Sequence, residues 1–119
     1  VRRAAAVLLL LLGILACEGT PDTVSPTVRL VHPLDGDTLE PGEHTLVAVA
    51  SDDRGVHHLI FWCEGQMLGF FYDPAAETLR CGWDCRAYAG RPVQLQVEAL
   101  DRELNEAFDQ TRVYVSPAR

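Results

Sequence analysis

The chain has no lysine: all ten of its basic residues are arginine, against seventeen aspartates and glutamates, for a formal net charge of −7. That balance argues against nucleic acid and against electrostatic adhesion to anionic lipid, both of which need basic patches. Serine is also scarce. Only Ser25, Ser51 and Ser116 occur, none inside a G-x-S-x-G elbow, so a hydrolase nucleophile has little support. No glycine-rich phosphate loop and no H-x-x-x-H or H-x-H spacing is present. His57 and His58 are adjacent, and adjacent residues in a strand face opposite ways, which keeps them from sharing one metal. Cys81 and Cys85 are separated by three residues, whereas a redox C-x-x-C has two. Only one hydrophobic run is long, and it lies at the N-terminus.

That run is the most informative part of what is there. Arg2 and Arg3 precede the apolar stretch Ala4–Leu12, then Gly13-Ile14-Leu15-Ala16 and Cys17. A basic start, an apolar stretch and a small residue at a cut site are the parts of a secretory signal peptide. Sixteen residues with arginines at one end fall short of the ~20 a membrane span needs. With cysteine directly after the small residue, the segment resembles a bacterial lipoprotein signal. The resemblance implies cleavage after residue 16, acylation of Cys17 and an extracytoplasmic, membrane-anchored location in the periplasm or at the cell surface. Residues 17–26, short, polar and proline-bearing, then read as a tether, and residues 27–116 as one domain with a modest core.

Within that domain the pattern has a period of two. Val93-Gln94-Leu95-Gln96-Val97-Glu98-Ala99 alternates cleanly, a strand with one wet face. His44–Ala50 alternates too, with Leu46, Ala48 and Ala50 on one face. Val56–Cys63 is the most apolar strand candidate. Glu64-Gly65 turns it into Gln66–Tyr72, predicting a hairpin. Thr27–Val31, Thr78–Asp84 and Thr111–Val115 complete about seven short strands. Asp101–Asp109 reads as a loop, with a helical turn over Leu100–Phe108 as its alternative. Spacings near ~8–12 residues predict an all-β sandwich of antiparallel strands.

These residues also resemble a family. Pro33-Leu34-Asp35-Gly36-Asp37-Thr38-Leu39, the strand and turn Leu46–Val56, Leu59-Ile60-Phe61-Trp62-Cys63-Glu64-Gly65, Trp83-Asp84, and Gly90 with Leu95–Asp101 stand in the order of motifs in bacterial immunoglobulin-like domains. The resemblance implies an immunoglobulin-like sandwich of the secreted or surface type. It implies a module for protein interaction, adhesion or structural spacing at the cell envelope, not an enzyme. Carbohydrate binding, alone or as an accessory of a secreted glycan-active system, is the alternative. The cysteines depart from the antibody pattern, because the strands His44–Ala50 and Val93–Ala99 carry none. Outside the cytoplasm Cys63, Cys81 and Cys85 are disulfide candidates. Cys63 could meet Cys81 or Cys85 across the core, or Cys81 could join Cys85, and the sequence does not choose. One bridge would add roughly 2–4 kcal/mol.

Trp62, Phe71 and Tyr72 are the candidate ligand contacts, since exposed aromatics mark contact sites. Asp52, Asp53 and Asp101 are weak calcium candidates from two loops, without EF-hand spacing; aspartates closing their own turns is the simpler reading. The expected partners are the membrane, through lipid on Cys17, and a protein or glycan at the cell surface. No nucleic acid and no cofactor beyond the lipid are expected.

Overall fold

A computed structural model describes residues 24–118. The signal segment 1–16, Cys17 and most of the tether lie outside the described residues. The strands, in chain order, are β1 (Thr27–His32), β2 (Thr38–Leu39), β3 (Glu43–Ser51), β4 (His58–Cys63), β5 (Gln66–Tyr72), β6 (Thr78–Asp84), β7 (Pro92–Leu100) and β8 (Glu106–Val115), with one 3-10 turn at Arg86–Tyr88. They form two sheets, β1-β3-β6 and β2-β8-β7-β4-β5. All pairings are antiparallel except the short parallel contact of β2 with β8.

Alternation builds the core. Leu46, Ala48 and Ala50 of β3 and Leu79 and Trp83 of β6 face Leu59, Phe61 and Cys63 of β4 and Val93, Leu95 and Val97 of β7. Phe61, Leu59 and Leu95 are wholly buried. Each such side chain contributes about 1.5–3 kcal/mol by leaving water. The β4–β5 hairpin closes on Glu64 (φ 48°) and Gly65 (φ 80°), so both turn residues adopt positive φ. This is the two-residue turn whose twist matches paired strands. Glu64 also anchors it: its backbone N–H donates to Gln94 O at 3.0 Å, and its carboxylate accepts the Gln94 N–H at 2.9 Å.

Two readings from sequence change. β8 begins at Glu106, inside the segment read as a loop or helical turn. Its first half is exposed or half-buried on both faces, with Phe108 the one large apolar residue, so hydropathy carries no period there. Pairing with β7, Ala107 to Ala99 and Glu106 to Leu100, makes it a strand. β4 starts at His58, two residues later than its apolar pattern suggests, because His57 spends its N–H on Leu100 O at 2.8 Å in the bend before the strand.

Carboxylates hold the connections. After β1 the chain crosses between sheets through Pro33–Asp37. Asp35 accepts the Arg112 N–H at 2.8 Å, and Asp109 accepts the Leu30 N–H at 2.9 Å across the open side between β1 and β8. Asp101 is fully buried at the β7–β8 turn. Its Oδ1 accepts the N–H groups of Glu103 (3.0 Å) and Asn105 (2.9 Å), and its Oδ2 accepts Asn105 Nδ2 at 2.9 Å. Removing that acceptor leaves two backbone donors unpaired next to the core. Asp101→Ala is therefore expected to cost about 3 kcal/mol, measured by urea unfolding. Asp101→Asn, which keeps one acceptor oxygen for the backbone, should cost clearly less.

Candidate functional site

Because β4 and β7 are central strands, the residues they turn away from the core form rows across the outer face of the five-stranded sheet. Phe70, Ile60, Glu98 and Phe108 form one row, and Tyr72, His58, Leu100 and Glu106 the next. Met67, Trp62, Gln96 and Gln110 form a third, beyond the irregularity between Phe61 and Trp62. Met67 (51%), Phe70 (48%), Tyr72 (65%) and Phe108 (55%) are exposed here. Four large apolar side chains open to water on one sheet face form a candidate contact surface.

Trp62 and Tyr72 lie on this face as the alternation of β4 and β5 requires. Phe71 does not. It pairs with Leu59 and turns inward, its ring edge-on to Phe61 at 6.0 Å between centroids. Phe70, its neighbour, takes the outer position. Phe108 was not singled out from sequence because the strand carrying it was read as loop.

The polar groups of the face are ordered. Trp62 and Glu106 are the polar neighbours of Glu98. Partial burial and the neighbouring Glu106 carboxyl hold the Glu98 carboxyl above its ordinary value of 4.5, with Trp62 acting in the opposite direction. The Gln94 amide donates to Gln110. Trp62, Glu64, Gly65, Gln94 and Gln96 rim a shallow hollow of about 420 Å³. At the other end of the face, His57 and His58 meet with Nδ1 atoms 3.0 Å apart, one ring donating to the other. The strand geometry expected to separate them is absent because His57 precedes β4. Both rings contact Tyr72, at 4.8 and 5.5 Å between centroids.

A larger hollow, about 900 Å³, opens on the outer face of the other sheet over Gly82. Its rim includes His32, Glu43, His44, Arg80 and Asp84 and none of the exposed aromatics. The two loops carrying Asp52, Asp53 and Asp101 do lie at one end of the sandwich, since β3 and β7 end where β4 begins. Asp52 accepts the Arg54 N–H at 3.1 Å and Asp101 closes its own turn, so both work on backbone. Among the described residues no group of three or more His, Cys, Asp or Glu is placed to hold a metal ion. The chemistry available on the aromatic face is stacking, apolar contact and hydrogen bonding.

Glu98 gives the face a pH signature. A carboxyl whose folded pKa is raised binds protons more tightly in the folded state, so its contribution to stability falls as pH rises above the unfolded value. Glu98→Gln keeps an oxygen for Trp62 and can donate to Glu106. It is expected to raise the melting temperature at pH 7, with the difference from wild type closing toward pH 4.5, the ordinary glutamate value; a pH series of thermal melts checks this.

Comparison with known proteins agrees with this architecture. A family model described as a bacterial Ig domain matches residues 26–97. The fibronectin(III)-like modules of Clostridium thermocellum CbhA are similar in fold, with a TM-score of 0.65 and 24% identity over 83% of this chain and 50% of theirs. An engineered protein is similar at a TM-score of 0.55 and 11% identity, over 80% of this chain and 21% of its own. The chain thus aligns with half or less of the length of either structure. No curated protein matches it. The family match begins at the proline before β1 and takes in the inward rows of β3, β4, β6 and most of β7, and this chain belongs to the bacterial Ig domain family.

Proposed function

We propose that the chain is a non-catalytic, lipid-anchored extracytoplasmic module that docks a partner at the cell envelope through the outer face of its five-stranded sheet. The observation carrying this reading is the confinement of Met67, Phe70, Tyr72 and Phe108 to that one face. Water-exposed apolar area of this kind is stabilised by a partner that covers it. Family membership supports a binding or spacing role, and the signal-like N-terminus with Cys17 supports the anchor.

A photoreactive phenylalanine analogue at Phe70 or Tyr72 is expected to give discrete crosslinked products in intact cells, and the same group at His44, on the opposite face, none. The reverse pattern would place the contact on the smaller sheet. For the anchor, intact mass of the protein recovered from a bacterial membrane fraction should match residues 17–119 plus acyl chains. A longer, unacylated chain would sink the lipoprotein reading.

A glycan partner is the second reading, favoured by Trp62 standing beside the amides of Gln94 and Gln96 around one hollow. An indole face with neighbouring hydrogen-bonding groups suits a sugar ring. In affinity electrophoresis against a panel of soluble polysaccharides, at least one should retard the wild type, and Trp62→Ala should abolish that retardation with the melting temperature held. A wild type that no polysaccharide retards would leave the protein-docking reading alone.

A further inference from the structure

Adjacent residues within a strand point to opposite faces, and that alternation would keep the rings of His57 and His58 apart. The fold removes the objection, because β4 begins at His58 and His57 belongs to the bend before it. The bend is fixed at both of its backbone groups. The His57 N–H donates to Leu100 O at 2.8 Å, and the His57 carbonyl accepts the Asp73 N–H at 2.7 Å. His58 is held between Tyr72 of β5 and Leu100 of β7. Both residues are half-buried. Their rings pack on aromatics, His57 on Tyr72 at 4.8 Å and His58 on Phe70 at 5.2 Å between centroids.

The two Nδ1 atoms therefore meet at 3.0 Å, with the ring planes 88° apart. Between the rings alone, one Nδ1–H donates to the lone pair of the other Nδ1, so neutral rings take opposite tautomers. The same separation suits a shared metal ion. Metal–imidazole bonds are about 2.0–2.1 Å long. Two such bonds to nitrogens 3.0 Å apart enclose an angle of about 91–97°. That is close to the right angle between neighbouring positions of a square-planar or octahedral ion. A tetrahedral ion with the same bonds would hold the nitrogens about 3.3–3.4 Å apart. Square-planar and tetragonal coordination by nitrogen and oxygen is the habit of Cu(II) and Ni(II).

We infer that His57 and His58 form a two-histidine chelate, through both Nδ1 atoms, for a divalent transition metal of the Ni(II) or Cu(II) kind. The metal takes the place of the shared proton. The ring that donated carries its proton on Nε2 instead, both imidazoles stay neutral, and no net proton is released. Among the described residues no third His, Cys, Asp or Glu joins the pair, so water fills the other positions. Asp73 faces Arg102 instead, with 3.8 Å between its Oδ1 and the guanidinium. Glu106 ends the same row of the sheet, beyond Leu100. His32 and His44 lie on the rim of the hollow over the other sheet, and His44 Nε2 is engaged by Glu40 O at 2.6 Å. Strand and bend hold the two donors in place before a metal arrives, so little freedom is lost on binding. The inference stands on the geometry of the rings and is independent of the docking reading.

The probe is Ni(II) chloride, which thiols do not reduce, titrated into the untagged full chain after a chelator has stripped it of metal. Proton NMR should show the imidazole signals of His57 and His58 broadening at a Ni(II) dose too low to affect those of His32 and His44. Isothermal titration should show binding that His57→Ala and His58→Ala each weaken about 100-fold, since each turns a chelate into a single contact. His44→Ala should leave it unchanged, and Zn(II) should bind the wild type more weakly than Ni(II). Binding that survives either His57→Ala or His58→Ala at full strength, first broadening at His32 or His44, or no binding at all would overturn the site. Tighter binding of Zn(II) would overturn the square geometry. The NMR titration uses the wild type alone, so it decides the matter even where a variant fails to fold.

Discussion

The two-residue alternation of β4 and β7 is the constraint from which the rest follows. Both are central strands of the larger sheet, paired to each other from His58–Leu100 to Cys63–Leu95. Each must bury one face against the smaller sheet while leaving the other to solvent. A slip of one residue would send Phe61 and Leu95 outward and bring Trp62 and Gln96 into the core. The Glu64-Gly65 turn, pinned to Gln94 through both backbone and side chain, opposes such a slip at the end where the hairpin closes. Core packing and the aromatic face are thus two consequences of one register.

The acidic composition has a structural meaning that net charge alone conceals. Asp35, Asp37, Asp101 and Asp109 each accept backbone N–H groups at crossings and turns, where the sheet ladders leave donors unpaired. A sandwich this small has many such positions relative to its core, and charged acceptors bind backbone donors more strongly than neutral ones. The same economy bears on calcium: an aspartate committed to its own loop has less to offer an ion. What remains for recognition is a face where aromatic rings alternate with amides and carboxyls, ordered by Trp62–Glu98 and Gln94–Gln110 contacts before any partner arrives. Groups already held in place lose less freedom on binding.

Much of the fold was legible because burial writes itself into strands with period two. Leu46, Ala48 and Ala50 could be put on one face, and Val93, Leu95, Val97 and Ala99 on the apolar face of their strand, from spacing alone. β2 could not, since a two-residue strand has no period. The first half of β8 could not either, because its neighbours rather than its own hydropathy make it a strand. At the site, alternation set Trp62 opposite Phe61 and put Phe70 and Tyr72 on one face with Phe71 on the other. It did not say which of the two phenylalanines met solvent. That depended on register with Leu59 and Ile60 across the hairpin.

The sequence by itself determined the all-β class, the tight hairpin at Glu64-Gly65, the inward rows of β3 and β7 and the acidic surface. These rest on local periodicity, turn chemistry and charge, which need no knowledge of the chain's path. Only the tertiary structure decided that Phe108 shares a face with Phe70 and Tyr72, and that this face is the outer one. It also set Cys81 against Gly69 and let His57 meet His58. Each of these joins residues through pairing across strands or packing between sheets, or through a bend that a partner strand imposes. Such contacts depend on where distant segments come to lie, and no local pattern in the chain encodes that.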